Sequence, residues 1–179
     1  MATNILEAIQ KNLGYPPLKK VDPNTQELKD AREMTPDQKL AQSAIPAVLA
    51  ALIKFSDSNE GINMISGNES KDWLSVIYHG KENEAIKKIA DYAGVPADVT
   101  ERHMENISDE AVKIVRETVK NPNPEKLRSY MNSQRHNILA HLPAALQMGD
   151  LLNEETFDDR TNKMEGPVSG FLHRIENII

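Results

Sequence analysis

Apolar residues gather in two nearly continuous stretches of this chain, and the first of them covers residues 36–55. Thr35, Pro36 and Gln38 have the residue types and spacing of a helix N-terminus. A helix that is apolar on every side is one that other helices surround. The pattern therefore predicts a central helix, which Pro46 either bends or divides because proline cannot donate a backbone hydrogen bond.

The second apolar stretch covers residues 138–152 and contains Pro143. It predicts a second proline-bent helix, and we expect the two helices to lie side by side as the dry interior of the fold. Residues 45–49 and 142–146 share a pattern of Ile or Leu, Pro and Ala. This similarity leaves two interpretations open, an internal duplication or a chance likeness between two buried helices.

Shorter segments with apolar residues at helical spacing are predicted to surround this interior. A first helix begins after Thr3 or Asn4 and ends at Gly14, and together with a proline-rich connector it makes up residues 1–24. Residues 25–34 predict either a short exposed helix or a leader into the central one. The first helix is therefore expected to pack at a distance from its sequence neighbours or to reach another subunit.

The rest of the chain is predicted to be helical, with turns between the helices. Residues 56–69 form a turn-rich stretch, and residues 150–166 form an acidic loop. Residues 73–78 favour a helix capped by Ser70 over a strand, because no partner strand is visible in the sequence. Further helices are predicted to begin at or just after Glu82, Pro96, Ser108, Pro124 and Pro167.

The composition indicates an all-α fold in a single domain, residues 1–179. Aromatic residues make up only 4% of the chain, while Ala, Leu, Ile, Glu and Lys are plentiful, and this bias favours helices over sheets. A chain of this length buries about 70% of its unfolded surface, which is enough for a real core. We therefore predict a multi-helix bundle.

Charge and cysteine usage narrow the functional classes. A net charge of -6 disfavours general binding to nucleic acid or to anionic membranes. The lack of cysteine excludes disulfides, zinc–thiolate sites and cysteine nucleophiles, and it fits a reducing compartment. The N-terminal residues do not resemble a signal peptide, and the longest apolar run, residues 44–53, is about half of a membrane span. A cytoplasmic protein without a membrane segment is the expectation.

Residues 89–99 resemble a helix-turn-helix, with a small alanine four residues before the turn at Gly94. A helix that reads DNA needs exposed basic or amide side chains for base edges and phosphates. The second helix here offers mainly carboxylates, so phosphate repulsion opposes docking. The turn is predicted, and nucleic-acid binding remains a third hypothesis. The charged residues at the start of this second helix are Asp98, Glu101, Arg102 and Glu105.

The histidines raise a different hypothesis, a metal-binding or enzymatic bundle that uses His103, His136 or His141 with nearby carboxylates. The sequence contains no HExxH motif and no Glu-x-x-His motif. His136 and His141 lie about 140° apart on a straight helix. His103 does not share the helix face of Glu101 and Glu105. A metal site assembled from separate helices stays open, while solvated or hydrogen-bonded histidines are the favoured interpretation.

Two acidic segments are candidate sites. Residues 57–68 resemble a calcium loop, but the glycine stands at the fifth place instead of the sixth, and Asn68 occupies the place of the bidentate glutamate. The acidic residues between positions 150 and 159 favour a solvated loop over a site for a basic partner. The sequence has no glycine-rich phosphate loop and no nucleophile elbow. We therefore predict no catalytic residue, no metal ligand and no cofactor.

The chain resembles the YidB-like family of small bacterial helical proteins in residues 45–52, 90–95 and 142–146. In that family an Ala-x-x-x-Gly-Val segment leads into a helix, and Leu-Pro helices recur. This chain departs from the family at its C-terminal end, where it has only Gly166 and Gly170 in place of a glycine-rich segment. The resemblance implies an all-α fold and a bacterial cytoplasmic setting, and it supplies no catalytic residue.

The leading functional hypothesis is a non-enzymatic helical interaction or structural module that self-associates or binds a protein partner. Its basis is the lack of a recognisable catalytic set in the sequence. Residues 167–179, which end in two isoleucines, or the first helix are expected to supply the contact between subunits.

Overall fold

Eight α-helices make up most of the described chain. The computed structural model describes residues 3–67, 69, 71–119 and 123–158. The described residues contain no β-strand. They contain one isolated β-bridge, which joins Val21 and Leu28. The predicted all-α multi-helix bundle is confirmed. The helices are α1 (Ile5–Leu13), α2 (Pro36–Ser56), α3 (Asn59–Ser66), α4 (Trp73–Tyr78), α5 (Glu82–Ala93), α6 (Ala97–Thr118), α7 (Pro124–Leu139) and α8 (Met148–Leu152).

Helix α2 is the central helix, as predicted. All of its residues from 40 to 53 are buried, and each of the other seven helices contacts it. Its N-terminus carries the predicted capping box, in which Thr35 Oγ1 accepts from the backbone N–H of Gln38 at 3.3 Å. The Gln38 side chain accepts in return from the Thr35 N–H at 2.9 Å. The helix continues through Pro46, so the predicted alternative of two separate helices is wrong.

Helix α2 is long and apolar enough to cross a membrane by length and composition alone. Within the fold, however, 89% of its most apolar window is buried inside the protein. Such burial is typical of a helix at the centre of a bundle.

The second apolar stretch is not a continuous helix, so the prediction of two central helices side by side is wrong. Helix α7 ends at Leu139, and a turn and a 3-10 segment, Ala144–Leu146, lead into α8. Pro143 cannot donate a helical hydrogen bond, and it disfavours helix at the residue before it. The stretch still contributes to the core, because Leu142 and Met148 are buried.

Distant parts of the chain bind the backbone groups that this break leaves free. The carbonyl of Ala140 accepts from the N–H of Val21 at 2.8 Å. The carbonyl of His141 accepts from the side-chain Nε2 of buried Gln42 at 2.7 Å. The break is thus stabilised by the connector and by α2, as buried backbone groups require. The two similar proline-containing segments therefore differ in conformation, and the fold gives no support to an internal duplication.

Helix α6 runs unbroken through Ser108, where a new helix was predicted. Ser108 Oγ donates to the carbonyl of Glu105 at 2.9 Å within the helix instead of capping an N-terminus. Buried residues continue from Met104 to Val115, so the inward face is continuous. The prediction of a separate helix beginning at Ser108 is wrong.

Two short helices lie between α2 and α5. The stretch predicted to be turn-rich contains α3, which Ser58 caps by accepting from the N–H of Gly61 at 2.8 Å. The helical interpretation of residues 73–78 is confirmed as α4, and Asp72 caps it by accepting from the N–H of Ser75. The predicted cap, Ser70, lies outside the described residues.

The predicted acidic loop, residues 150–166, begins inside α8 and continues through a 3-10 segment, Glu155–Phe157. The carboxylate of Asp158 accepts from the N–H groups of Gly149 at 2.9 Å and Asp150 at 2.7 Å, which folds this segment back on itself. The loop prediction is therefore wrong for most of the described part. The remainder of the loop and the predicted last helix lie outside the described residues.

Helix α1 is docked on the bundle. Asn4 caps it and Gly14, with a φ of 72°, ends it, as predicted. The helix packs mainly on α6, which is distant along the chain, as expected, and to a smaller extent on α2, the next helix. Most of the apolar face of α1 is covered by this same chain, and Leu13 at the end of the helix stays partly exposed, which leaves little of that face for the expected contact with another subunit. The buried residues of this face are Ile5, Leu6 and Ile9.

The connector after α1 is fixed by the same buried glutamine that binds the α7 break. Gln42 Oε1 accepts from the N–H of Lys19 at 2.7 Å, and Gln42 Nε2 donates to the Lys19 carbonyl at 2.9 Å. Residues 25–34 then form turns with a short 3-10 segment, Ala31–Glu33, instead of a longer helix. One polar side chain of the central helix therefore positions two irregular segments.

Candidate functional site

A cleft lies where the end of α1, the start of α2 and the N-terminal half of α6 meet. Its volume is about 430 Å³. Gly14 turns the chain out of α1, and the Tyr15 N–H donates back to the Gln10 carbonyl at 2.9 Å. Pro16 then holds Tyr15 in extended backbone. We call this space the Tyr15–His103 cleft; its lining includes Leu13, Tyr15, Pro16, Asp37, Leu40, His103 and Asn106.

A tyrosine and a histidine form a hydrogen-bonded pair in this cleft. Tyr15 Oη and His103 Nδ1 are 2.6 Å apart, and the ring centroids are 5.7 Å apart with the planes inclined by 51°. Burial raises the pKa of Tyr15 to about 12. The phenol therefore stays protonated at neutral pH, and it acts as a hydrogen-bonding group instead of a nucleophile.

Helix periodicity explains why α6 contributes to this cleft. His103, Asn106 and Glu110 are three to seven residues apart and lie on the face that meets the N-terminal segment. Glu110 Oε1 accepts from Asn12 Nδ2 at 2.7 Å, one turn beyond the cleft, and its side chain is only 12% exposed. The pairing of α1 with α6 therefore continues from the cleft along the helix.

The lining of the cleft includes one carboxylate. Asp37, in the first turn of α2, is the charged side chain among the described residues that line it. A carboxylate at this position is stabilised by the positive end of the helix dipole. Leu13 and Leu40 supply apolar surface next to it. The arrangement combines an apolar wall, hydrogen-bonding groups and one carboxylate, which suits binding better than covalent chemistry.

The structure does not bring the predicted histidines together. His103 belongs to the cleft, His136 is exposed on α7, and His141 is buried with its Nδ1 2.7 Å from the Asn137 carbonyl oxygen. Among the residues that the structure describes, no group of three or more His, Asp or Glu side chains is arranged to hold a metal ion. For His141 the favoured interpretation, a hydrogen-bonded core histidine, is confirmed.

Sequence reasoning missed Tyr15 and Asn106. The Gly14-Tyr15-Pro16 sequence indicated a helix end followed by extended chain, and that much is correct. The identity of the helix that Tyr15 faces depends on the docking of α1 against α6. No local pattern carries that information, because the pairing is between residues 88 positions apart.

The predicted turn between two helices is present, with Gly94 at a φ of 69° between α5 and α6. The first turns of α6 expose Asp98, Glu101 and Glu105 to solvent. Arg102 Nη2 lies 3.4 Å from the Asp98 carboxylate, so its charge is already offset within the helix. This surface lacks the free positive charge that phosphate contacts require.

A second polar cluster joins α2, α7 and the segment after α8. Lys54 Nζ donates to Glu154 at 2.7 Å, and Arg135 lies over the Phe157 ring at 4.6 Å from its centroid. Arg135 also donates to Thr156 at 2.7 Å. Hydrogen bonds from Lys54 and then from Thr156 lower the pKa of Glu154. These groups bind one another, so the cluster stabilises the fold.

Two carboxylates lie near each other between α4 and α6. Partial removal from water, and secondly the charge of Asp72, raise the pKa of Asp109. Asp72 is already engaged as the cap of α4. The charge of Asp72 therefore adds to the effect of burial in opposing the ionisation of Asp109, so the stability of the fold depends on pH.

Comparisons with protein-family models, with curated proteins and with solved structures found no match to this chain. The resemblance to the YidB-like family therefore stays a prediction.

Proposed function

We propose that this protein is a non-enzymatic helical interaction module, and that the Tyr15–His103 cleft binds a segment of a protein partner. The proposal places the protein in a cytoplasmic setting. The observation that supports it is the convergence of an apolar wall with Tyr15, His103, Asn106 and Asp37 in one concave site. Interfaces are dominated by such sites, in which an anchoring side chain enters a pocket with a few polar groups.

The use of polar groups elsewhere in the fold supports the same proposal. The buried Gln42 binds the connector and the α7 break, and the buried Gln134 accepts from the N–H of Ile5 at 3.2 Å. Buried serine and threonine hydroxyls donate to carbonyls of their own helices. These buried polar groups stabilise the fold. In the Tyr15–His103 cleft, by contrast, hydrogen-bonding side chains adjoin open space.

A second copy of the chain is the less favoured partner. The chain carries a net charge of -6, and α6 exposes more acidic than basic side chains beside the cleft. Two such surfaces repel each other when they meet face to face. A partner segment with positive charge is favoured, because it complements these acidic side chains.

Selection from a displayed library of random short peptides tests the proposal directly. The library is selected against the wild-type protein, and the enriched peptides are then measured against His103→Ala and Tyr15→Phe. We expect a shared sequence pattern whose affinity falls about tenfold or more in His103→Ala, equivalent to a loss of about 1.4 kcal/mol. The exposed His136→Ala on α7 is the matched control and is expected to bind like the wild type.

Two outcomes contradict the proposal. One is a selection that yields no shared pattern above an unrelated acidic helical protein. The other is a set of peptides that bind His103→Ala and wild type equally, which would locate binding outside the cleft. Circular dichroism of each variant establishes that it is folded before its binding is compared.

A further inference from the structure

The cleft has the chemistry to recognise one particular kind of side chain. We propose that the Tyr15–His103 cleft binds a guanidinium group carried on an aliphatic stem, the side chain of an arginine in a partner segment. This inference rests on the proposed function and specifies the occupant of the same site. It is carried by the carboxylate of Asp37, the amide of Asn106 and the apolar walls that line the cleft.

The charge of the lining decides whether the cleft favours a cation or an anion. Asp37 contributes a full negative charge to the lining, whereas a helix N-terminus contributes about half a positive charge that is confined to its first turn. The Thr35 hydroxyl and the Gln38 side chain already occupy N–H groups at that N-terminus. A cation is therefore favoured over a carboxylate in the cleft.

Shape and hydrogen bonding distinguish guanidinium from ammonium. A guanidinium is planar and presents several N–H donors in a fixed fork, so it can reach a carboxylate and an amide oxygen together while its face lies on an aromatic ring. Asp37, Asn106 and Tyr15, which carry these three kinds of group, all belong to the lining of the cleft. Leu13 and Leu40 can cover the methylene stem that such a side chain carries.

The same chain shows this mode of binding twice within its own fold. The Arg116 guanidinium lies 5.2 Å from the centroid of the Trp73 ring while its Nε donates to the Ile65 carbonyl at 2.8 Å. Arg135 lies over the Phe157 ring and also donates to Thr156. An aromatic face beside oxygen acceptors is thus a site that arginine occupies stably in this molecule.

Nuclear magnetic resonance of protein with carbon-13-labelled histidine rings tests the inference. The His103 signal is assigned from its loss in His103→Asn. The probes are acetyl-Gly-Arg-Gly-amide, the citrulline peptide, which is a neutral isostere, and butylguanidinium as a free small guanidine. Lysine and glutamate peptides test the ammonium and the carboxylate.

We expect the arginine peptide to shift the His103 signal at millimolar concentration and to bind at least threefold more tightly than each other probe. Asp37→Asn should weaken the arginine peptide roughly three- to tenfold, as loss of a charge-assisted hydrogen bond near the surface predicts. Glu84→Gln, an exposed charge change on α5, is the control and should leave the affinity unchanged.

Equal binding of the arginine and citrulline peptides, or preference for the glutamate peptide, would overturn the inference. Tighter binding of butylguanidinium than of the peptide would overturn the assignment to a protein partner. Library peptides that depend on His103 but lack arginine would also overturn it, while the proposed function would stand. A library selection without any cleft-dependent pattern would contradict both the arginine inference and the proposed function.

Discussion

At the scale of single residues, buried polar side chains determine the parts of this fold that are not regular helix. Gln42 is fully buried in α2 and makes three hydrogen bonds, to both backbone groups of Lys19 and to the carbonyl of His141. Its position was visible in the sequence only as a polar residue in an apolar stretch. Its partners lie 23 and 99 positions away, which no helical periodicity encodes.

Gln42→Ala is expected to lower the free energy of unfolding by about 2–4 kcal/mol, because it leaves buried backbone groups of Lys19 and His141 without partners. Denaturant unfolding monitored by circular dichroism measures the change. Asn83→Ala, at an exposed position of α5, is the control and should change stability by less than about 0.5 kcal/mol. Similar effects of the two substitutions would contradict the role given to Gln42.

Glu154→Gln tests the polar cluster around Lys54. The pKa of Glu154 is lowered in the fold, so its ionised form contributes stability above the unfolded pKa, and that contribution is lost as the pH falls through the folded pKa. We expect the variant to be less stable by up to about 1 kcal/mol at neutral pH. The difference should vanish well below pH 4.5, the ordinary pKa of the group. A pH-independent difference would contradict the ion pair as its cause.

Asp109→Asn should have the opposite sign. The pKa of Asp109 is raised in the fold, so its ionisation costs stability, and the wild type gains stability as the pH falls through the folded pKa. The variant should therefore have a slightly higher melting temperature at neutral pH and no advantage in acid. Because the side chain is exposed, the gain should be small. A lower melting temperature at neutral pH would contradict this assignment.

At the scale of helices, the sequence predicts those helix ends that depend on a capping side chain or on a glycine. The caps at Thr35 and Asn4 and the stops at Gly14 and Gly94 follow from residue type and spacing, and all are present. The wrong predictions of helix ends have a common cause. Ser108 has the residue type of a cap but lies on the buried side of a continuous helix, and Pro143 ends a helix whereas Pro46 does not. Contacts from other helices decide each case.

Ser108→Ala and Ser58→Ala form a matched pair that tests this distinction. Ser58 caps α3, so its replacement should cost about 1 kcal/mol of stability. Ser108 Oγ only donates to a carbonyl of its own helix, so its replacement should cost less than about 0.5 kcal/mol. Thermal unfolding of both variants measures the difference. A larger cost at Ser108 would indicate that α6 depends on a cap there.

At the scale of the whole molecule, one apolar helix organises the fold and leaves the cleft at one of its ends. The sequence predicts the central helix from a stretch that is apolar on every side, and it predicts the all-α class from composition. It did not predict the cleft, because the cleft exists only where α1, α2 and α6 meet. His103 was noted as a candidate in the sequence, whereas its partner Tyr15 became visible only in three dimensions.

Leu49→Ala, at a fully buried position of α2, should lower the free energy of unfolding by about 3–5 kcal/mol, because it removes apolar contacts and leaves a cavity among the surrounding helices. The exposed Ala145→Ser is the control. Denaturant unfolding checks both. A loss below about 1 kcal/mol at Leu49 would mean that α2 is not the centre of the core.

The most direct test of the account is the map of amide chemical-shift changes in nitrogen-15-labelled protein when a cleft-selected peptide is added. We predict that the largest changes lie at the end of α1, in the first turn of α2 and in the N-terminal half of α6. We also predict that they shrink in His103→Ala. Changes centred on α3, α7 or α8, or changes of equal size in that variant, would contradict this prediction.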